Sequence, residues 1–312
     1  MTIACVFPGQ GSQKVGMLDA FAAQPDVAGL LAAADAALGE PISALIANGP
    51  AEDLALTVNT QPAMLLAGYG CYLAWRGAGG PAADLVAGHS LGEYTALVAA
   101  GAIDPAHAVP LVRLRAAAMQ EAVPVGAGAM AAVLGLDDDA VAQACARAAE
   151  AVPGEVVEPV NFNAPAQVVI AGHKAAVERA CQAAKEAGAK RAMPLSVSAP
   201  FHSSLLRPAG ERLARALADV PIKSPSVALV NNVDVAVESD PDRIRDALVR
   251  QAYSPVRWVE VVLKLKAMGA TRIIEFGPGK VLAGLVGRID KTIPVSAVFD
   301  QASLEAALAE AA

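Results

Sequence analysis

The chain has 312 residues, of which 55% are hydrophobic and 18% are charged. This composition is typical of a folded protein with a sizeable apolar core, and it excludes a largely disordered chain. The formal net charge of −7 makes nucleic acid an unfavourable partner, because an acidic protein repels a phosphate backbone.

Short apolar runs alternate with helical stretches along the chain, which predicts an α/β fold built in layers. Thr2–Phe7 is expected to form the first strand and to end in a turn-rich loop over residues 8–13. A helix is expected from about Thr60 to Gly77, because Pro62 suits a first helical turn. The pattern then predicts a strand and two helices: Asp84–Gly88, Leu91–Ala100 and Pro105–Ala122.

The segment 125–198 has a different pattern, in the order β-α-β-β-α-β, with a turn at residues 163–165. The predicted elements of this segment are Met130–Leu134, Asp137–Ala149, Val156–Phe162, Gln167–Ala171, Lys174–Ala187 and Lys190–Leu195. This order is the signature of a ferredoxin-like unit. We therefore expect a small domain, 125–198, inserted into a larger α/β domain that comprises 1–124 and 199–312.

The larger domain is expected to resume with alternating helices and strands after residue 199. The predicted helices are Leu205–Ala218, Pro241–Gln251 and Val256–Met268, and the predicted strands are Ala228–Asn231, Arg272–Phe276 and Pro294–Val298.

Neither a membrane span nor an exported protein is expected. No apolar run approaches the roughly 20 residues that a spanning helix needs, and the first residues do not resemble a signal peptide. Four scattered cysteines form no metal-binding spacing and predict buried, reduced thiols in a cytoplasmic protein: Cys5, Cys71, Cys145 and Cys181.

Gly88-His-Ser-Leu-Gly92 fits the pattern G-x-S-x-G between a predicted strand and a predicted helix. In such a sharp turn the two glycines make room, and the serine projects at a helix N-terminus. Backbone N–H groups and the helix dipole there stabilise negative charge. The motif predicts that Ser90 is a nucleophile, and the alternative is a tight turn with a capping serine.

A nucleophilic serine needs a base, and the chain has four histidines. His89 is expected to pack or to hydrogen-bond elsewhere, His107 to be a structural histidine on an apolar helix, and His173 to cap a helix. His202 lies in a loop at the predicted domain junction, where functional residues are common. No carboxylate is evident as a third member, since Asp137–Asp139 suit a helix start. A backbone carbonyl could orient the histidine instead.

The helix predicted over Pro105–Ala122 is apolar on nearly all sides, yet it carries Arg113 and Arg115. Residues two apart point in different directions, so both cannot reach solvent at one place. A buried guanidinium requires an anion, which is either an internal carboxylate or a carboxylate-bearing substrate held by its fork. Met119 shares the face of Arg115 and could line the same pocket.

Taken together, the motifs of this chain resemble those of the malonyl-CoA:acyl carrier protein transacylases. The resemblance runs from Phe7 to about Arg288, and none of the characteristic motifs of the family is missing. The landmarks are Phe7-Pro-Gly-Gln-Gly-Ser-Gln, Asn59-Thr-Gln-Pro-Ala, Gly88-His-Ser-Leu-Gly-Glu-Tyr, Arg115 with Met119-Gln120, Asn161-Phe-Asn-Ala-Pro, Gln167-Val-Val-Ile-Ala-Gly, Phe201-His202, Gln251 and Glu275-Phe-Gly-Pro-Gly-Lys. The family fold is an α/β-hydrolase-like large domain with an inserted ferredoxin-like small domain.

The resemblance also implies a role for each matching residue. Ser90 would be the acylated nucleophile and His202 its base, with a backbone carbonyl near Gln251 in place of a carboxylate. The backbone N–H groups of Gln10 and Leu91 would form the oxyanion hole. The remaining matches would bind the substrate: Arg115 grips the malonyl carboxylate, Met119 and Gln61 line its pocket, and Phe201 crowds branched acyl groups.

The implied reaction is a ping-pong transfer of malonyl from coenzyme A to the phosphopantetheine thiol of an acyl carrier protein. No bound cofactor or metal is implied, and the expected partners are the coenzyme A thioester and a transient carrier protein. A cytoplasmic monomer that binds neither nucleic acid nor membrane is expected. The alternatives are a serine esterase or thioesterase, a transferase for another acyl-CoA, and a carrier-binding module without activity.

Overall fold

The computed structural model describes residues 1–197 and 199–311. The helices within these residues are α1 Pro25–Leu38, α2 Ile42–Asn48, α3 Ala51–Leu54, α4 Thr57–Gly77, α5 Gly92–Ala99, α6 Pro105–Glu121, α7 Asp138–Glu150, α8 Lys174–Glu186, α9 Arg207–Ala218, α10 Pro241–Gln251, α11 Trp258–Ala267, α12 Val281–Ile289 and α13 Gln301–Ala311. The strands are β1 Ile3–Phe7, β2 Leu85–Gly88, β3 Gly128–Leu134, β4 Val157–Ala164, β5 Gln167–His173, β6 Arg191–Pro194, β7 Ala228–Val230, β8 Arg272–Phe276 and β9 Val295–Val298.

The fold is mixed α/β, with one parallel sheet and a separate antiparallel sheet. The parallel sheet has the strand order β7-β2-β1-β8-β9, and every neighbouring pair in it is parallel. Its central strand β1 is buried along its whole length. Alternate residues of β1 enter two different apolar clusters: Ile3, Cys5 and Phe7 pack on one face, and Ala4 and Val6 on the other. Helices therefore cover both faces of this sheet, as parallel sheets require.

The antiparallel sheet has the strand order β4-β5-β3-β6, and its strands are consecutive in the chain. The elements follow the predicted order β-α-β-β-α-β over Gly128–Pro194. Apolar residues of α7 and α8 pack with residues of its strands in a separate core. Residue 198, at which the predicted small domain ends, and the terminal residue 312 lie outside the described residues.

Several predicted boundaries were wrong by one to three residues, and the end of β4 and the starts of α4 and α9 are examples. Strand β4 continues through Ala164, so the turn before β5 is residues 165–166. Helix α4 begins at Thr57, three residues before the expected start at Thr60. The helix expected from Leu205 begins as a short 3₁₀ turn, Ser204–Leu206, before α9.

The sequence pattern also did not reveal five helices, α1, α2, α3, α12 and α13. In α1 the abundant alanines blur the apolar stripe from which a helix is identified. Helices α2 and α3 are seven and four residues long, too short to show a helical period. No helix among the described residues is both long and apolar enough to span a membrane.

Three adjacent strands of the parallel sheet are each followed by a polar residue at the carboxyl-terminal edge of the sheet. Gln10 follows β1, Ser90 follows β2, and Asn232 follows β7. Because β7, β2 and β1 are neighbours and parallel, their carboxyl ends meet at the same edge. Parallel α/β sheets bind ligands at this edge.

The turn between β2 and α5 depends on two glycines. A Cβ on Gly88 would lie 1.9 Å from the backbone carbonyl carbon of Gly92, and a Cβ on Gly92 would lie 1.9 Å from the carbonyl oxygen of Phe7. Real Cβ atoms do not approach backbone atoms so closely, so any side chain here would force the strand and the helix apart.

We predict that Gly88→Ala destabilises the protein by about 3 kcal/mol, because the neighbouring backbone cannot move without disrupting the sheet. The free energy of unfolding measured in urea tests this. Gly29→Ala in helix α1 is the matched control, since a Cβ there meets nothing within 4 Å. It should stabilise the protein by roughly 0.5–1 kcal/mol. Equal effects at the two positions would contradict the steric argument.

Candidate active site

Ser90 occupies the strained turn at the end of β2. Its backbone φ is 53°, in the left-handed region that L-residues rarely adopt. The side chain is thereby directed away from the strand and the helix. Such strain persists only where neighbouring groups hold it, and it is common at functional sites.

His202 lies within hydrogen-bonding distance of Ser90, although 112 residues separate them in the chain. The Ser90 Oγ and His202 Nε2 atoms are 2.7 Å apart. On the other side of the ring, His202 Nδ1 is 2.8 Å from the backbone oxygen of Gln251. Because that oxygen can only accept, Nδ1 carries the proton and Nε2 is free to accept one from the serine.

Burial keeps His202 neutral. The residue is 4% exposed, and burial together with the positive charge of Arg115 lowers the pKa of His202 to about 3. A neutral imidazole is the form that can take a proton from a hydroxyl.

Arg115 is buried beside the serine, with 1% of its surface exposed. Its Nη1 donates to Gln61 Oε1 at 2.7 Å, and its Nη2 donates to Gln251 Oε1 at 2.9 Å and to Ser90 Oγ at 3.2 Å. The guanidinium also lies over the ring of Tyr94, 5.3 Å from the ring centre. Within the described part of the chain it forms no ion pair, so the internal salt bridge that the sequence left open is not present.

The neighbouring arginine points elsewhere. Arg113 forms an ion pair with Glu40 and is partly exposed. The two side chains therefore leave α6 in different directions, as predicted for residues two apart on a helix.

A cavity of about 140 Å³ opens at the serine and the histidine. This is small beside the roughly 300–1,000 Å³ of pockets for drug-sized ligands, and suits a small ligand. All the remaining predicted site residues except Gln251 line it: Gln10, Gln61, Leu91, Arg115, Met119 and Phe201. Gln251 lies behind the cavity and contacts His202, Arg115 and Ser90.

None of the other three histidines hydrogen-bonds the Ser90 hydroxyl within the described residues, although His89 lines the same cavity. His89 contacts Asn163 Oδ1 through Nε2 at 2.8 Å, in line with the hydrogen-bonding role expected for it. The structural role expected for His107 was wrong, because it lies on the solvent-facing first turn of α6 and is exposed. His173 occupies the N-cap position of α8, but its ring accepts from the Val156 N–H instead of capping the helix.

The acidic run Asp137–Asp139 belongs to a helix start, as its sequence context suggested. Asp137 accepts a hydrogen bond from the backbone N–H of Ala140 and caps α7. Among the described residues, no group of three histidine, cysteine, aspartate or glutamate side chains is arranged to hold a metal ion.

Sequence reasoning missed two polar residues beside the serine, Asn232 and Glu93. Asn232 Oδ1 accepts from the Ser90 N–H at 2.7 Å, and its Nδ2 donates to the Gly88 carbonyl at 2.7 Å. Glu93 is 1% exposed, and its Oε2 accepts from Gln251 Nε2 at 2.9 Å. A charged residue in an apolar helix was the signal that identified Arg115, and the same signal was available for Glu93. Asn232 follows a short strand without a distinguishing pattern.

Comparison with known proteins agrees with this geometry. Residues 4–297 match the model of the acyl transferase domain family. A malonyl CoA-acyl carrier protein transacylase of Escherichia coli strain K12 is 56% identical over 306 residues, which cover 98% of each chain. The chain belongs to the malonyl CoA-acyl carrier protein transacylase family.

Solved transacylases have the same fold. An acyl carrier protein S-malonyltransferase from Burkholderia pseudomallei 1710b superposes with a TM-score of 0.96 at 62% identity, covering 99% of this chain and 100% of that one. A second structure, of a holo type II PKS acyl carrier protein in complex with its malonyl-transacylase, matches with a TM-score of 0.96 at 50% identity, with the same coverage.

We predict that the His202 ring stays neutral down to pH 5, because burial and Arg115 hold its pKa near 3. NMR of ¹⁵N-histidine-labelled protein tests this, with the His202 signals assigned by their loss in His202→Ala. The ring nitrogens should keep the shifts of a neutral, Nδ1-protonated imidazole between pH 8 and pH 5. A titration with a midpoint between pH 6 and 7 would contradict the burial argument.

Proposed function

We propose that this protein transfers the malonyl group from malonyl-CoA to the phosphopantetheine thiol of an acyl carrier protein, through a malonyl ester on Ser90. The observation that carries the proposal is the 2.7 Å contact between Ser90 Oγ and the buried, neutral His202. Family membership supplies the substrates.

In the first half-reaction, the Ser90 hydroxyl proton passes to His202 Nε2 as Oγ attacks the thioester carbonyl. The resulting tetrahedral oxyanion is bound by the backbone N–H groups of Gln10 and Leu91, two residues that line the same cavity. When the oxyanion collapses, the C–S bond breaks, and the departing sulfur of coenzyme A takes the proton from His202.

The backbone oxygen of Gln251 takes the place that a carboxylate has in a Ser-His-Asp triad. It accepts the Nδ1 proton of His202 and fixes the tautomer and the direction of the ring. A neutral carbonyl stabilises the imidazolium less than a carboxylate does. The nearby positive charge of Arg115 further disfavours a lasting imidazolium.

Arg115 binds the malonyl carboxylate with its fork. Its guanidinium contacts only neutral oxygens and a ring directly, which leaves it ready to pair with an anion. Gln61 holds one end of the guanidinium, and Met119 lines the cavity beside it. Fixing the acyl group at its carboxylate also keeps water from a productive position before the carrier arrives.

Phe201 selects malonyl over branched acyl groups. It directly precedes His202 in the chain and lines the cavity. An α-methyl substituent on the acyl group would therefore meet its ring. Crowding of one methyl group is worth about 1–3 kcal/mol of discrimination.

In the second half-reaction, the carrier thiol gives its proton to His202 and attacks the Ser90 ester, which reverses the first sequence of steps. The partners are therefore a coenzyme A thioester and, transiently, a carrier protein. A solved relative is in complex with its acyl carrier protein. We place the protein in the cytoplasm as a monomer without a resident cofactor, in fatty acid synthesis.

The domain division follows the same proposal. Residues 1–124 and 199–312 would form an α/β-hydrolase-like catalytic domain, and 125–198 a ferredoxin-like small domain. The separate core beneath the antiparallel sheet supports this division. The site would then lie between the two, since Met130 and Val169 of the small domain line the cavity with Ser90.

We predict that brief incubation with malonyl-CoA adds the mass of one malonyl group to Ser90. Adding holo carrier protein should move that group to the carrier thiol. Peptide mass spectrometry locates the adduct, with Ser90→Ala as the negative control. Ser226→Ala is the matched control, because Ser226 hydrogen-bonds the Ala100 carbonyl away from the cavity and should not affect labelling.

Other outcomes would identify the competing functions. Release of free malonate at the same rate with and without the carrier would indicate a thioesterase. Faster acylation by another acyl-CoA would indicate a different transferase. An unlabelled Ser90, with no malonate released and no labelling by another acyl-CoA, would favour a carrier-binding role.

A further inference from the structure

Glu93 is a buried carboxylate that the mechanism above does not use. It lies in the first turn of α5, three residues after the nucleophile, and is 1% exposed. Among the described residues it forms no direct ion pair. Burying a carboxylate without a salt-bridge partner is costly, so its hydrogen-bond partners are informative.

The strained Ser90 is held at both of its peptide groups by side chains. Asn232 Oδ1 accepts from the Ser90 N–H at 2.7 Å, and Gln251 Nε2 donates to the Ser90 carbonyl at 3.0 Å. These residues come from distant parts of the chain, 142 and 161 residues away. The left-handed backbone of Ser90 therefore depends on how Asn232 and Gln251 are fixed.

One oxygen of Glu93 fixes both of them. Oε2 accepts from the backbone N–H of Asn232 at 2.9 Å and from Gln251 Nε2 at 2.9 Å. We infer that Glu93 is a positioning residue, which orients Gln251 and Asn232 and through them holds Ser90 in its reactive geometry. This inference rests on the proposed role of Ser90 as the nucleophile.

The orientation of the Gln251 amide shows why a hydrogen-bond acceptor is needed at the position of Glu93. Gln251 Oε1 accepts from Arg115 Nη2, while its Nε2 donates to Glu93 and to Ser90. If the amide were reversed, its NH₂ group would face the guanidinium and its oxygen would face two other acceptors. Glu93 therefore favours, together with Arg115 and the Ser90 carbonyl, the amide orientation in which Gln251 binds Arg115 and Ser90 at once.

Gln251 also contacts the proposed base, His202. The backbone oxygen of Gln251 accepts from His202 Nδ1 at 2.8 Å. A displaced Gln251 would thus disturb the nucleophile, the base and the carboxylate-binding arginine at once.

Burial raises the pKa of Glu93 to about 7, against the opposing effects of its hydrogen bonds from Gln251 and Asn232 and of the Arg115 charge. With or without a proton on Oε1, Oε2 can accept both hydrogen bonds. A glutamine at this position can place its amide oxygen in the same role, so it mimics the protonated acid.

The test is the rate at which a small fluorophosphonate labels Ser90, because this reagent reports on the serine and its base without a malonyl carboxylate. Glu93→Ala should label about 100-fold more slowly than wild type, the size of effect caused by a misplacement of about 1 Å. Glu93→Gln should restore labelling to within about tenfold of wild type, because it retains the acceptor.

Glu275→Ala is the matched control. Glu275 is an equally buried carboxylate that accepts from the backbone N–H of Ala283 at the start of α12. Its loss should lower the free energy of unfolding and leave the labelling rate within about twofold of wild type, since it contacts none of the reacting groups.

A double-variant comparison tests whether Glu93 acts through Gln251. Two variants that weaken the same arrangement should not have additive effects. Glu93→Ala combined with Gln251→Ala should therefore label no more than about threefold slower than the slower single variant. Losses that multiply would overturn the inference.

Two further outcomes would overturn it. One is wild-type labelling of Glu93→Ala, and the other is an equal loss in Glu93→Gln and Glu93→Ala, which would point to charge or packing instead of hydrogen bonding. Malonyl labelling of wild-type Ser90 separates this inference from the proposed function. If wild-type Ser90 takes up no malonyl group, it is the proposed function that fails.

Discussion

The site depends on a buried positive charge that forms no direct ion pair in the described chain. The Arg115 guanidinium is 1% exposed, its Nη2 lies 3.2 Å from Ser90 Oγ, and its other partners are two glutamine oxygens and an aromatic face. Neutral partners compensate a buried charge only in part. In the proposed function, a substrate carboxylate completes this compensation beside Ser90. Burial, together with the same charge, lowers the pKa of His202 and so keeps it neutral and able to accept a proton.

The rest of the fold brings distant residues to that charge. The carboxyl ends of three adjacent parallel strands present Gln10, Ser90 and Asn232, and helices α6 and α10 present Arg115 and Gln251. The left-handed backbone at Ser90 is tolerated because neighbouring side chains bind its peptide groups. The hydrogen bonds that hold the backbone of Ser90 in place therefore also orient its side chain. Glu93 accepts hydrogen bonds from both residues that make them, Asn232 and Gln251.

The sequence indicated those parts of the site that a local pattern marks. The serine was visible from its two glycines, and the buried arginine from a charge in an apolar helix. The pairing of His202 with a carbonyl near Gln251 came from resemblance, because no local pattern encodes a contact between residues 49 apart. Asn232 has no local signal. The helices in alanine-rich or very short segments were missed because their apolar stripe is blurred or too brief.

The most direct measurement of the role of this charge compares malonyl and acetyl transfer in Arg115→Ala with transfer in Arg113→Ala. Arg113 lies on the same helix but pairs with Glu40 and does not reach the cavity. A charge-assisted contact is worth about 1.5–3 kcal/mol, so Arg115→Ala should lower kcat/KM for malonyl about ten- to a hundredfold more than for acetyl. Arg113→Ala should leave that ratio unchanged. Equal losses for both acyl groups in Arg115→Ala, with the protein folded, would contradict the account.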